Sequence, residues 1–178
     1  MVHLNTKISG NFLNLNNVEI NEIDYNFFYN ELKKYELLLT DDFDKKMSIE
    51  IKDFILKNKE LPFDWAKQNE ITYKKLSAKD KARYIVFRYV INNFPKDHRL
   101  APFPQYLLIE PVSTCNLRCT MCFQSDKSFT KKPYMGMMDY EFYKDVIDQA
   151  SENGTKAITL ASRGEPTIHP KLNKMIEY

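Results

Sequence analysis

From Asp24 onward, apolar side chains fall at Tyr25, Phe28, Leu32, Tyr35 and Leu39. These steps of three and four put all five on one helix face, because residues so spaced are surface neighbours. A second stripe, Phe43, Met47, Ile51 and Phe54, predicts another helix. Thr40 is its expected cap, with Asp41, Asp42 and Asp44 at the positive end of its dipole. A third helix is predicted from Ser77, with Asp80 as capping-box partner, through Ile85 and Tyr89 to about Asn92. Before Ile20 a weak alternation of apolar and polar positions predicts a short hairpin. Residues 1–94 therefore read as a mainly helical accessory region, and no chemical motif falls within it.

Pro95, Pro102 and Pro104 then interrupt the helical pattern, since proline disfavours helix at its own position and the one before. Residues 95–105 are taken as a linker. Beyond it the short apolar run Tyr106 to Glu110, stopped by Pro111, predicts a buried strand. Asp139 is placed to cap a helix that turns Phe142, Val146, Ile147 and Ala150 inward and ends at Asn153-Gly154. A second strand, Ala157 to Ala161, is followed by the loop Ser162 to Thr167 and a new helix with Pro170 near its first position. Strand, helix and strand in that order make a βαβ unit with a parallel pair, so residues 106–178 are expected to be α/β. A parallel sheet is normally covered on both faces, which two strands cannot achieve alone. The chain is expected to be the opening part of a longer protein.

Charge and composition narrow the functional classes. The 178 residues carry 26 basic and 24 acidic side chains, and a net charge of +2 does not argue for nucleic acid or an anionic membrane. Hydrophobic residues make up 43 %, enough to build a core. No apolar run approaches the roughly 18 to 20 residues that span a bilayer. Met1 to Leu15 holds no continuous apolar stretch of the secretory type, and a cytoplasmic location is expected.

The cysteines carry the strongest chemical signal. All three lie between Cys115 and Cys122, in the order Cys115-x3-Cys119-x2-Cys122 just after a strand. An odd, clustered set is a poor disulfide framework and a good metal-ligand set. Iron–sulfur clusters are held by such thiolates, and a four-iron cluster held by three would keep one iron open. A zinc site would need a fourth ligand, for which His98 and His169 are the nearest histidines. Cys119-Thr-Met-Cys122 also has the spacing of a redox dithiol, which leaves Cys115 without a role. Arg118 and Lys127 are placed either to offset thiolate charge or to face solvent.

The cysteine spacing after a first strand, joined by Gly164-Glu165-Pro166 after the second and by His169-Pro170-Lys-Leu172, resembles the radical S-adenosylmethionine (radical SAM) enzymes. The resemblance covers residues 106–178. It implies the first two βα units of a partial (β/α)6, TIM-like barrel with chemistry at the carboxyl ends of the strands. It also implies that Cys115, Cys119 and Cys122 bind a [4Fe-4S] cluster, whose open iron takes the amino and carboxylate groups of S-adenosylmethionine. Gly164, Glu165 and Pro166 would then meet the methionine amino group, and Met121 and Phe123 would lie against the adenine. An electron donor of flavodoxin or ferredoxin type and a substrate radical are further implications; no substrate or further catalytic residue is specified.

Two positions depart from the family pattern. Met121 stands where an aromatic residue is common, and Arg163 stands where the family usually has a second glycine. The wording Cys-Asn-Leu-Arg-Cys is similar to the branch with carboxyl-terminal auxiliary-cluster (SPASM-type) domains, whose members modify peptides, proteins or sugars. The competing expectation is a non-enzymatic module in which zinc or a cluster is a structural staple. A third is a partner-binding helical region with a degenerate barrel.

Overall fold

The computed structural model describes residues 24–178 together with two short strands, β1 (Lys7–Ile8) and β2 (Asn11–Phe12). These pair antiparallel, Lys7 opposite Phe12, where the hairpin was expected; the rest of that segment lies outside the described residues. Four helices follow: α1 (Tyr25–Tyr35), α2 (Asp42–Asn58), α3 (Lys67–Lys75) and α4 (Ala78–Asn93). Then come β3 (Tyr106–Ile109), α5 (Tyr140–Glu152), β4 (Ala157–Leu160) and α6 (Leu172–Glu177).

The helical layer forms around the stripes read from the sequence. Phe28, Leu32 and Leu39 from the first meet Met47, Ile51 and Ile55 of α2 and Ala82, Ile85, Val86 and Tyr89 of α4 in one core. Asp24 caps α1 by accepting the Asn26 N–H at 2.9 Å. The cap of α2 is Asp41, not Thr40: its carboxylate accepts the Asp44 N–H at 2.9 Å. One residue later, a stronger acceptor sits at the position that can reach the orphan donor. Phe43 and Phe54 are only half-buried, and the stripe closes through Ile55. The Ser77–Asp80 capping box does not form: the Ser77 hydroxyl donates to the Asp80 carboxylate at 2.6 Å and caps no backbone N–H.

The short helix α3 has no counterpart among the predicted elements. Its apolar positions are few, and it is fixed by Tyr73, whose hydroxyl donates to Glu31 at 2.6 Å and whose ring meets Phe27 and Trp65 edge-on. The abundance of aromatic residues finds its use here. Phe28, Phe63, Trp65, Tyr73 and Tyr84 form a chain of edge-to-face and tilted contacts with centroids 4.7 to 6.4 Å apart.

In the second part β3 and β4 run parallel in the register Tyr106–Ala157 to Ile109–Leu160. Leu107, Ile109 and Leu160 pack against Tyr143, Val146 and Ile147 of α5 and Met175 of α6, so both helices cover the same sheet face. On the other face, Tyr106 and Leu108 stay exposed. The inward set of α5 is Tyr143, Val146, Ile147 and Ala150, while Phe142 is 57 % exposed. One step of 100° around the helix separates Phe142 from Tyr143, and the larger amphipathic ring wins because its hydroxyl reaches Met175 O at 2.7 Å. Gly154, at φ +79°, supplies the left-handed residue that ends α5. Pro170 precedes α6 rather than opening it: it follows a 3-10 turn, Pro166–Ile168, and Lys171 is the cap of the helix.

The two parts are locked by a buried ion pair. Lys156, just before β4, reaches Asp44 of α2 at 2.6 Å, with side chains only 6 % and 1 % exposed. Among the described residues no helix is long and apolar enough to cross a membrane.

Candidate metal centre

The cysteines occupy an excursion that opens and closes at one base. Val112 bridges antiparallel to Met137, and Met138 N–H donates to Pro111 O at 2.8 Å. Inside that rung, Ser113 N–H donates to Gly136 O at 3.0 Å, and the Ser113 hydroxyl accepts the Gly136 N–H at 2.7 Å. Val112 and Ser113 are buried, so these bonds satisfy backbone groups that water cannot reach.

Beyond the base the backbone turns tightly on itself. Cys122 N–H donates to Cys119 O, and Ser125 N–H donates to Cys122 O, both at 3.0 Å. Two 3-10 turns follow, Phe123–Ser125 and Lys127–Thr130; Asp126 caps the second by accepting Ser128 N–H at 2.8 Å. Cys115 and Cys122 are half-buried and Cys119 is exposed; all three are free thiols. Cys115 Sγ accepts the Leu117 N–H at 3.4 Å. The Arg118 guanidinium turns back onto the carbonyls of Cys115 and Leu117 at 3.1 and 2.7 Å. Among the described residues no three Cys, His, Asp or Glu side chains converge closely enough to grip a metal ion.

Soft thiols on one short excursion form a donor set that fits an iron–sulfur cluster by its chemistry. The zinc alternative loses one of its two histidines. His169 is buried, its Nε2 donates to Met138 O at 3.0 Å, and its Nδ1 accepts the Lys171 N–H at 3.1 Å. Both ring nitrogens are therefore engaged with backbone. His98 is an exposed residue in the turn after α4.

The loop after β4 lies against the start of the cysteine excursion. Glu165 N–H donates to Thr114 O at 3.0 Å. A Cβ on Gly164 would stand 1.9 Å from Val112 O and 2.7 Å from Thr114 O, so only glycine permits this approach. Arg163 has a structural partner: its guanidinium grips Glu110 at 2.8 and 2.7 Å, and its backbone N–H donates to the same carboxylate at 3.0 Å. The Arg163 hydrogen bonds hold the Glu110 carboxyl below its ordinary 4.5. Gln124 completes the junction, with Nε2 donating to Ser113 O at 2.7 Å and to Arg163 O at 3.0 Å.

The remaining candidate residues are placed less completely. The Glu165 carboxylate caps the next 3-10 turn, accepting the Thr167 hydroxyl at 2.7 Å and the Thr167 N–H at 3.0 Å; both bonds lower its pKa. Pro166 opens that turn. Phe123 meets Phe129 edge-on at 5.9 Å, and Met121 is 94 % exposed, with almost no contact of its own. The structure thus brings Gly164 and Glu165 to the cysteine excursion but does not gather the thiols or engage Met121.

Glu110, Ser113 and Gln124 are the junction residues that sequence reasoning missed. Glu110 carried a usable signal. It is an acid at the end of the first predicted strand, and Arg163 is a base in the loop after the second, but only the parallel register of Ile109 with Leu160 brings those two ends together. Gln124 carried none, because a loop glutamine resembles any other until the fold brings two carbonyls to it.

Over 73 residues, 40 % of this chain, the sequence is 37 % identical to the tungsten-containing aldehyde ferredoxin oxidoreductase cofactor-modifying protein of Pyrococcus furiosus. The matched stretch is 19 % of that protein, so the chain spans about a fifth of its relative's length. No family model matches the chain, and no solved structure does.

Proposed function

We propose that this chain carries the cluster loop and the adjoining S-adenosylmethionine loop of a radical SAM enzyme. The observation that supports this most is the junction itself. Gly164 fits under Val112 and Thr114 where no side chain could, and it delivers Glu165 to the residue next to Cys115. In this reading β3 and β4, with α5 and α6 on one face, are the opening units of a (β/α)6 barrel, and the exposed face of Tyr106 and Leu108 is its interior.

Cys115, Cys119 and Cys122 would hold a [4Fe-4S] cluster. When bound and reduced, the cluster supplies the electron that splits S-adenosylmethionine into methionine and a 5′-deoxyadenosyl radical competent for hydrogen abstraction. The chain's own residues bind and orient. Glu165 stays anionic near neutral pH, because its hydrogen bonds favour the charged form, and a carboxylate suits the methionine ammonium. Gly164 and Pro166 shape the loop around it, and Met121 and Phe123, both exposed, would lie against the adenine. The Glu110–Arg163 pair fixes the loop to the end of β3.

The relative's name describes modification of a cofactor of a tungsten enzyme. That adds cofactor-derived small molecules to peptides, proteins and sugars as substrate classes. An electron donor of flavodoxin or ferredoxin type and a cytoplasmic setting belong to the same proposal, and no nucleic-acid partner does.

Anaerobic iron–sulfide reconstitution tests it, followed by electron paramagnetic resonance of the reduced protein with and without S-adenosylmethionine. A four-iron signal that changes with the cofactor and is lost in Cys119→Ala is the expected result. Stoichiometric zinc uptake, with no cluster and no response to the cofactor, would overturn the reading in favour of a structural zinc module.

A further inference from the structure

Gln124 lies two residues after Cys122, and its second acceptor, Arg163 O, lies two residues before Glu165. A carboxamide nitrogen carries two hydrogens, and here each has its own carbonyl, at 2.7 and 3.0 Å. Because both partners are acceptors, the orientation of the amide is fixed; its oxygen would face two like dipoles. The first acceptor, Ser113, belongs to the paired base of the excursion, so one end of the latch rests on a rigid rung. Opposite it, Glu165 N–H holds Thr114 O at 3.0 Å. The two loops are thereby joined on both flanks of the thiol segment, once next to Cys115 and once close behind Cys122.

We propose that Gln124 is a positioning residue, which presets the spacing between the Cys122 thiol and the Glu165 carboxylate. This rests on the function proposed above. The thiol excursion and Glu165 would grip one small molecule from two sides, so affinity for that molecule reports their spacing. A side chain that only stiffened the surface would leave that affinity unchanged.

Gln124→Met keeps the length of the side chain and removes both donors. Gln124→Glu keeps its shape and sets a carboxylate against two carbonyls. The first readout needs no cluster: amide hydrogen exchange of the full chain, at Glu165 and at Leu107 and Thr159 as sheet controls. Loss of two hydrogen bonds should speed exchange at Glu165 about tenfold and leave the controls unchanged. The second readout follows reconstitution. Iron and sulfide content should match the wild type, while the S-adenosylmethionine concentration that half-saturates the paramagnetic change rises about tenfold.

Wild-type exchange at Glu165 in both variants, or an unchanged half-saturation on an intact cluster, overturns the latch. Accelerated exchange at Leu107 and Thr159 as well would mark a general loosening of the sheet and also overturns it. A wild-type chain that builds no cluster defeats the proposed function instead, and the exchange result then judges the latch by itself.

Discussion

Gly164 shows how much one missing methyl can decide. With Val112 O at 1.9 Å from a would-be Cβ, Gly164→Ala must push the loop after β4 off the cysteine excursion. Backbone on both sides leaves no flexible side chain to yield, and such overpacking costs about 1 to 3 kcal/mol. The expected outcome is a lower melting temperature together with loss of Glu165 amide protection. A wild-type melt would refute the close approach. At Glu110 the relevant variable is pH. Its folded pKa lies below the ordinary 4.5, so its contribution is complete above the unfolded value and fades as pH falls through the folded one. Glu110→Gln should therefore lose stability near neutrality yet differ less from wild type at strongly acid pH, as thermal melts across an acid series would show.

Among the elements, α2 carries a correctable flaw. It ends at Lys59 with φ 60°, and the Lys59 N–H donates to Ile55 O at 2.9 Å. A left-handed residue with a side chain costs roughly 1 to 2 kcal/mol relative to glycine's freedom at the same angles. Lys59→Gly should raise stability by about 1 kcal/mol, less its larger unfolded-state entropy. Chemical denaturation measures the shift, and a destabilised variant would argue that the lysine side chain does more than point outward. α5 is built the other way, with a strong start. Asp139 accepts the N–H groups of Glu141 and Phe142 at 2.9 and 3.2 Å, and Gly154 ends the helix left-handed.

For the whole molecule, the Asp44–Lys156 pair ties the helical layer to the start of β4. Burial pushes the Asp44 carboxyl up, and the hydrogen bond from Lys156 opposes that shift. Removing one partner of such a pair strands the other's charge, at a cost of about 3 to 5 kcal/mol. Lys156→Met alone should be strongly destabilising. Asp44→Leu with Lys156→Met should recover most of the loss, because two apolar groups need no partner. Equal destabilisation in the single and double variants, measured by denaturant unfolding, would show that packing rather than charge holds the parts together.

By itself the sequence determined the local structure and the chemistry on offer. Periodicity marked α1, α2 and α4, turn residues marked the ends of α5, and spacing marked Cys115, Cys119 and Cys122, because each depends on residues a few positions apart; Gly164-Glu165-Pro166 was marked only by its resemblance to a family motif. It fell short at the cap of α2, where Asp41 and Thr40 are both competent and only backbone geometry chooses. It also fell short at Phe142 and Tyr143, neighbours separated by a single helical step. Contacts between distant segments belonged to the tertiary structure alone: Asp44 with Lys156, Glu110 with Arg163, and Gln124 with Ser113 and Arg163. A charge or an amide states what it can bond to. Only the fold, by bringing residues 39 or 112 positions apart within 3 Å, decides which partner it meets.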